Sequence, residues 1–471
     1  MAGPAGFEPA NAGTKTQCLT AWRRSNTPIF YPHFPSSSSY VIISPMKSFS
    51  LSAPLLAEKF VPGGQALASF QSPTLKNGEK NPHFGKKVFL WNALPGEIIQ
   101  EATITKQKSR YLEGIATKVL SPSPHRVAPK DSCYLSTSPW QILSWNYELQ
   151  QKRFLVQESL AQEHLVLPKN VSVAPTVTDN TEWHYRNKME YSLYWDNQDS
   201  QIYLAFHARG THAKIPLKPS NVPSDALDYQ TAISSIERPE IAKKAQKIVQ
   251  ELNNAHASAR DYQSLLLRVS RQGIVSGGLL KNGQPHPIFP NLSDAILGQT
   301  YSYSPNGFFQ INLPVYELAL KAIKQAIDAS SCQNILDLYS GVGTIGLSVA
   351  SSRHLTLVES NPSAYKELKK NSPSYVNCVL ARSEDCLDFI QTNQIVILDP
   401  PRAGCDQKLI NRLLEVIPEK IIYLSCNPST QARDVRLLTS SNRFQIQSIA
   451  PFNFFPKTPH IENLIILNKV I

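Results

Sequence analysis

The 471-residue chain contains no run of about 20 apolar residues, which argues against a membrane-spanning helix. Its seven cysteines include no CxxC pair. That speaks against a zinc site and against a dense disulfide framework, and makes a reducing cytoplasm the expected compartment. Methionine is scarce, at Met1, Met46 and Met189 only. The first 45 residues lack a periodic apolar pattern and a signal-peptide h-region, being rich in Pro, Ser and Ala. Residues 1–55 are therefore assigned to a disordered or non-native tail, with ordered sequence expected to begin near Met46. Acidic residues are outnumbered, 36 against 47 Lys and Arg, for a formal net charge of +11. Such a balance favours a polyanionic partner, nucleic acid first, over a merely basic protein. What is present is globular: 42% hydrophobic and 18% charged residues, on a chain long enough for two or three domains.

Residues 56–128 show short apolar alternation broken by Gly, Pro and Asn, the pattern of an all-β unit. Lys106, Lys108, Arg110, Tyr111 and Lys118 lie within it, and basic residues around an aromatic suit a small barrel that grips a nucleic-acid backbone. A solvated strand face accounts for them equally well. Residues 129–300 mix a helical pattern over 138–162, strand-like HYRNKMEYSLYW, QIYLAFHARG and YQSLLLRVS, and an amphipathic helix in PEIAKKAQKIVQELNNAH with Pro at its start. This predicts an α+β module. From about residue 313 strands and helices alternate, which predicts a doubly wound α/β sheet in the C-terminal domain, 301–471.

In LDLYSGVGTIGL the glycines Gly341, Gly343 and Gly346 spell GxGxxG, and Glu359 ends the next expected strand. Two cofactors fit, a nicotinamide dinucleotide and S-adenosylmethionine. Asp337, just before the loop, tips the choice to the second, because an acid suits a cationic sulfonium and is adverse beside a pyrophosphate. Glycines that merely pack strand on helix are the structural alternative.

Asp399-Pro400-Pro401-Arg402 ends another strand, and the prolines hold the chain extended there. One strand later IIYLSCNPST delivers Cys426 to an Asn-Pro turn just ahead of a helix, whose N-terminal dipole favours a thiolate. Taken singly, Cys426 is as easily a small buried hydrophobe. Together with Asp399 and a late carboxylate, Glu462, it suits covalent activation of a pyrimidine. Thiolate addition at carbon 6 of uracil makes carbon 5 nucleophilic, and a general base must then remove the carbon 5 proton.

These segments resemble the RNA uracil-5 methyltransferase family, which includes 23S rRNA and tRNA enzymes, over most of the chain after residue 56. The family's FxQxN matches GFFQIN, DLFCGxG matches DLYSGVG, SCNPxT matches Cys426 and its neighbours, and PxTxHxE resembles KTPHIE. The resemblance implies Cys426 as nucleophile, Glu462 as general base, and Gln310, Tyr339, Glu359 and Asp399 as S-adenosylmethionine contacts. YRNKMEYS (185–192) resembles the family's central-domain signature. Residues 56–128, with ALPGE and SPSPHRV, resemble the TRAM domain, an OB-like RNA-binding barrel. Many members hold a 4Fe–4S cluster on four cysteines. Here Cys133 remains, but Leu135 and Ser138 stand in the CGGC places and LKPSNVP (217–223) has no cysteine, so no iron–sulfur cluster and no metal are expected. The implied protein is a monomeric, cytoplasmic enzyme of RNA, with rRNA favoured over tRNA by the barrel. A tRNA enzyme, a catalytically inactive RNA-binding or assembly protein, and an NAD-dependent oxidoreductase are the alternatives.

Overall fold

The structure is a computed structural model that describes residues 54–75, 77–211, 213–218 and 234–470, with the backbone of 49–51. The expected tail up to residue 48 and most of LKPSNVP lie outside the described residues. Strand β1 (Phe49–Leu51) is followed by β2 (Leu55–Phe60), β3 (Ala66–Phe70), β4 (Lys87–Trp91), β5 (Ile98–Gln107) and β6 (Tyr111–Ser121). Strands β5-β2-β3-β4-β6 pair in that order, and β6 pairs back to β5, so five strands close a barrel with β1 added on β5. Period-two burial supports it: Ala66, Ala68 and Phe70 of β3 point inward. The ALPGE and SPSPHRV segments meet here. The fully buried Glu97 forms a two-pronged pair with Arg126, at 2.6 Å from Nε and 2.7 Å from Nη2, and also accepts the backbone N–H groups of Leu94 and Ser123. Both motifs thus clamp the barrel's exit.

The central region holds α1 (Tyr134–Thr137), α2 (Trp145–Gln162), β7 (Lys188–Asp196), β8 (Gln201–His207), β9 (Lys214–Pro216), α3 (Pro239–Asn254), β10 (Ser264–Val269), β11 (Val275–Lys281) and β12 (Gln284–Pro285). Its sheet runs β12-β11-β10-β7-β8-β9, antiparallel throughout. Helix α3 has Pro239 at its start and buries Ile241, Ala245 and Leu252 against Tyr191, Leu204 and Leu265 of that sheet. The helix expected from residue 138 begins instead at Trp145. Tertiary contacts hold the preceding turn: Trp140 donates its backbone N–H to Lys457 O and its indole N–H to Gly64 O, each at 3.0 Å.

The hairpin β13 (Leu292–Ile296) and β14 (Gln299–Tyr303) lies on the expected border, and its Leu292, Ile296, Tyr301 and Tyr303 pack into the C-terminal core. That domain continues with α4 (Leu313–Asp328), β15 (Asn334–Leu338), α5 (Thr344–Val349), β16 (His354–Glu359), α6 (Pro362–Asn371), β17 (Asn377–Leu380), β18 (Gln394–Leu398), α7 (Gln407–Val416), β19 (Lys420–Ser425), α8 (Pro428–Ser440), β20 (Phe444–Phe452) and β21 (Glu462–Lys469). The seven strands run β17-β16-β15-β18-β19-β21-β20, parallel up to β19, with β21 antiparallel to both neighbours. Alternate residues of the central strands enter different clusters. Ile335 and Ile397 pack with α4, α5 and α6; Leu336 and Leu398 pack with α7, α8 and α2. Strand β20 goes unforeseen because a bulge between Ile446 and Ser448 breaks its alternation.

The long β20–β21 connection is gripped by α2. Glu148 and Lys152, four residues apart on α2, are both fully buried, with 3.2 Å between Nζ and Oε1. Glu148 Oε1 accepts the Lys457 backbone N–H (3.0 Å) and Asn453 Nδ2 (3.1 Å), while Lys152 Nζ donates to Phe455 O (2.9 Å). Lys457 Nζ reaches Glu182 at 2.7 Å, and Tyr185 Oη donates to Pro456 O. Burial pushes the Lys152 ammonium down to about 8, and the Glu148 carboxylate opposes that shift. Further along, Arg402 Nη2 donates to His460 Nδ1 at 3.1 Å. Desolvation, and then the charges of Arg402, Lys152, Arg186 and Arg209, push that partly exposed imidazole down to about 3.

Two outcomes are expected. Glu148→Gln leaves two buried ammonium groups without their shared carboxylate, and urea titration should show a loss of about 3–5 kcal/mol; a change within experimental error would mean the pair is not structural. His460 is neutral in the fold, whereas the unfolded chain takes up a proton below about 6.5, so its contribution is full above pH 6.5 and is lost as pH falls toward 3. His460→Asn should therefore flatten the fall in thermal midpoint across that window; an unchanged profile would remove His460 as its source.

Candidate active site

Strand order reverses between β15 and β18, and crevices for ligands form outside the carboxyl ends of strands at such a point. The chain leaving β15 turns sharply. Tyr339 has φ 65°, a left-handed backbone costly for a bulky residue, and Gly341 follows at φ 60°. A Cβ on Gly341 would meet nothing within 4 Å, so its backbone faces open space that a ligand can approach. Gly346 differs: a Cβ there would stand 2.5 Å from Leu357 Cδ2, so this third glycine does pack helix on strand.

Glu359 ends β16 with Oε2 accepting the Gly341 N–H (2.8 Å) and Oε1 accepting the Asn361 N–H (2.6 Å). Its carboxylate thus ties the glycine loop to the next strand and stays at the mouth of that loop. Asp337, expected to face a cationic cofactor, is fully buried, and its Oδ2 accepts the Gly346 N–H at 2.9 Å. It caps the first turn of α5, whose N-cap residue Gly343 has no side chain to do so. Nothing in an Asp seven residues ahead of a helix distinguishes that role in sequence.

Asp399 directly follows β18, and Leu398 pairs with Tyr423 of β19. Cys426 directly follows β19. The pairing Ser425↔Asn463 across the antiparallel β19–β21 ladder brings the next positions, Cys426 and Glu462, opposite one another. Cys426 is half-buried and Glu462 buried. Asn427 caps α8 through its side chain, which also donates to Arg402 O (2.9 Å), and Thr430 Oγ1 donates to the same carbonyl (3.0 Å). The helix that starts at the cysteine therefore holds the DPPR turn. Asn427, Thr430 and His460 are the residues that motif reading left without a role, although the spacing of SCNPST already put the first two on one helical turn.

Gln310 lies in the loop before α4 and is buried. Its carbonyl accepts Asn187 Nδ2 at 3.1 Å, so the central module holds this loop. One turn into α4, Tyr316 Oη bonds Thr344 Oγ1 (2.7 Å) at the start of α5, and its hydroxyl feels the Asp399 and Asp337 carboxylates. Tyr316 thus ties the first turns of α4 to the start of α5, just beyond the glycine loop. Burial pushes the thiols of Cys405 and Cys133 well up, with Asp434 and Asp131 adding to it. Cys133 stands at the N-cap of α1, with Leu135 and Ser138 buried in the same turn. Among the described residues no three or more His, Cys, Asp or Glu side chains are grouped to hold a metal ion, and no helix is long and apolar enough to cross a membrane.

Residues 380–470, which include Asp399, Cys426 and Glu462, match the sequence profile of the family described as tRNA (Uracil-5-)-methyltransferase. An uncharacterized RNA methyltransferase of Enterococcus faecalis is 28% identical over 432 residues, covering 82% of this chain and 93% of the relative. One from Halalkalibacterium halodurans is 26% identical over 448 residues, covering 83% and 94%. The fold is that of the Pyrococcus abyssi tRNA (uracil-54, C5)-methyltransferase, solved in complex with S-adenosyl-L-homocysteine. That likeness has TM-score 0.61 and 21% identity, and covers 88% of this chain and 99% of the other. Motifs, fold and matches agree in their likeness to the RNA uracil-5 methyltransferase family.

Proposed function

We propose that this protein methylates carbon 5 of a uridine in RNA with S-adenosylmethionine, through a covalent adduct between Cys426 and carbon 6 of the ring. The observation that carries the reading is the ladder register that opposes Cys426 to Glu462 beside Asp399. Gln310, Tyr339, Glu359 and Asp399 are the residues proposed to hold the cofactor. The open space before Gly341 and the acidic set of Glu359 and Asp399 fit a cationic sulfonium bearing ribose hydroxyls. A dinucleotide fits less well, because Asp337 already occupies an α5 N–H that a pyrophosphate would need.

S-adenosylmethionine, when bound, supplies an electrophilic methyl group. Cys426 Sγ adds to carbon 6, and the ring becomes an enolate nucleophilic at carbon 5. Once carbon 5 is methylated, Glu462 takes its proton, the Sγ–carbon 6 bond breaks, and the 5,6 double bond is restored. Helix α8, with N-cap Asn427 adjoining Cys426, places its positive end beside the thiolate. Asp399, held extended by Pro400 and Pro401, presents acceptors suited to a ring N–H.

Ribosomal RNA is the substrate we favour over tRNA. The closed barrel exposes Lys106, Lys108 and Arg110 around Tyr111, with Lys106 Nζ 5.7 Å from its ring, and Lys118 further along the same strand, a surface suited to an extended RNA backbone.

Bulk RNA from cells lacking the gene should accept labelled methyl from S-adenosylmethionine and gain 5-methyluridine by mass spectrometry. Cys426→Ala should lower transfer by more than about a thousandfold while S-adenosylmethionine binding stays nearly unchanged; normal turnover would remove Cys426 from the mechanism. Glu462→Gln should accumulate a protein–RNA adduct visible on denaturing gels. Full activity without that species would sink the assignment of the base.

A further inference from the structure

A cleft of about 240 Å³ lies between the central module and the start of α4, lined among others by His184, Tyr185, Asn187, Val269 and Asn312. None of these has a part in the steps above. Two of them carry buried polar atoms that no protein group satisfies. Asn187 Nδ2 donates to Gln310 O, which sets the orientation of its carboxamide and leaves Oδ1, an acceptor, without a partner. Asn312 Oδ1 caps α4 by accepting the Val315 N–H, which leaves Nδ2, a donor, without a partner. Asn187 is 4% exposed and Asn312 1%. A buried polar atom left unpaired costs about 1–3 kcal/mol; both atoms are closed to solvent, so a ligand seated in the cleft would pair with them as the two carboxamides turn toward it.

The chemistry of that ligand follows from the pair. It must offer both a donor and an acceptor. A phosphate offers acceptors only, so it cannot satisfy Asn187 Oδ1. The two arginines lining the cleft also have protein partners: Arg238 pairs with Glu240, and Arg271 with Glu317 at 2.8 Å. A nucleobase edge presents donor and acceptor together, and the half-buried His184 adds an aromatic side chain to the lining. Asn312 is two residues beyond Gln310, at most about 7 Å along the chain. We propose that the cleft receives a second nucleobase of the RNA strand, from a nucleotide flanking the methylated uridine. This rests on the RNA methyltransferase reading.

The test uses the full chain, S-adenosylmethionine, the same bulk RNA, and a short mixed-sequence single-stranded RNA carrying 4-thiouridine for photocrosslinking. Asn312→Asp keeps the helix cap and replaces the free donor by an acceptor. Thr181→Trp sets an indole at the exposed rim of the cleft. Each should raise KM for RNA by about three- to tenfold while S-adenosylmethionine affinity is retained. In the parent protein the crosslink should map to peptides bearing Asn187 or Asn312. Methylation by a parent whose KM both variants share, with crosslinks elsewhere, would overturn the proposal and leave the cleft to water. If Asn312→Asp loses S-adenosylmethionine binding, Thr181→Trp alone decides. A parent that crosslinks through the cleft yet methylates no RNA would support the cleft and refute the function.

Discussion

The fully buried Glu148 carboxylate is the point on which the site's geometry depends. It holds a backbone N–H of the β20–β21 connection, a side chain of the same connection, and the ammonium of Lys152 from its own helix. Helix α2 comes from the segment between barrel and central sheet, whereas the connection comes from the last fifty residues. One carboxylate therefore couples chain segments some three hundred residues apart, as the separations of these bonds record. Buried ion pairs are seldom a net source of stability compared with apolar packing; their better-attested use is to select one arrangement. Here the arrangement selected is the one that starts β21 at Glu462.

The rigid C-terminal sheet supplies the other half. Its parallel strands end at Tyr339, Glu359, Asp399 and Cys426, so strand pairing alone brings four candidate residues to one edge. The two that do need it, Gln310 and Glu462, arrive on segments held from outside the sheet: the first by Asn187 of the central module, the second by α2. The barrel and central region are thus part of what shapes this edge of the sheet.

Much of this was legible in the chain. Alternation of strands and helices after residue 313 is strong because each strand is an apolar block ended by Gly, Pro or an acid, and GxGxxG, DPPR and SCNPST each fall at a strand end. Features set by tertiary contact were not. Trp140 lies in a helical pattern but spends its N–H groups on Lys457 and Gly64, so the helix starts later. Asp337 has the look of a cofactor acid and is a buried cap. Glu462 carries no local signal at all; chemistry and family likeness suggested it, and only the ladder register sets it against the thiol. Asn187 and Asn312 fall within the YRNKMEYS and GFFQIN segments, but their unpaired atoms are seen only once the chain is folded.

The antiparallel course of β21 has a consequence for how this chain can vary. Side chains on a strand alternate between faces, so a register shift of one residue along β19 would turn Glu462 to the opposite side of the sheet. The β20–β21 connection is anchored at Asn453, Phe455 and Lys457, which leaves little slack between the last anchor and Glu462. Length changes are then tolerable ahead of the anchors or beyond the strand, but the few residues from Lys457 to Glu462 act as a ruler. Their number, more than their identity, sets whether acid and thiol face one another.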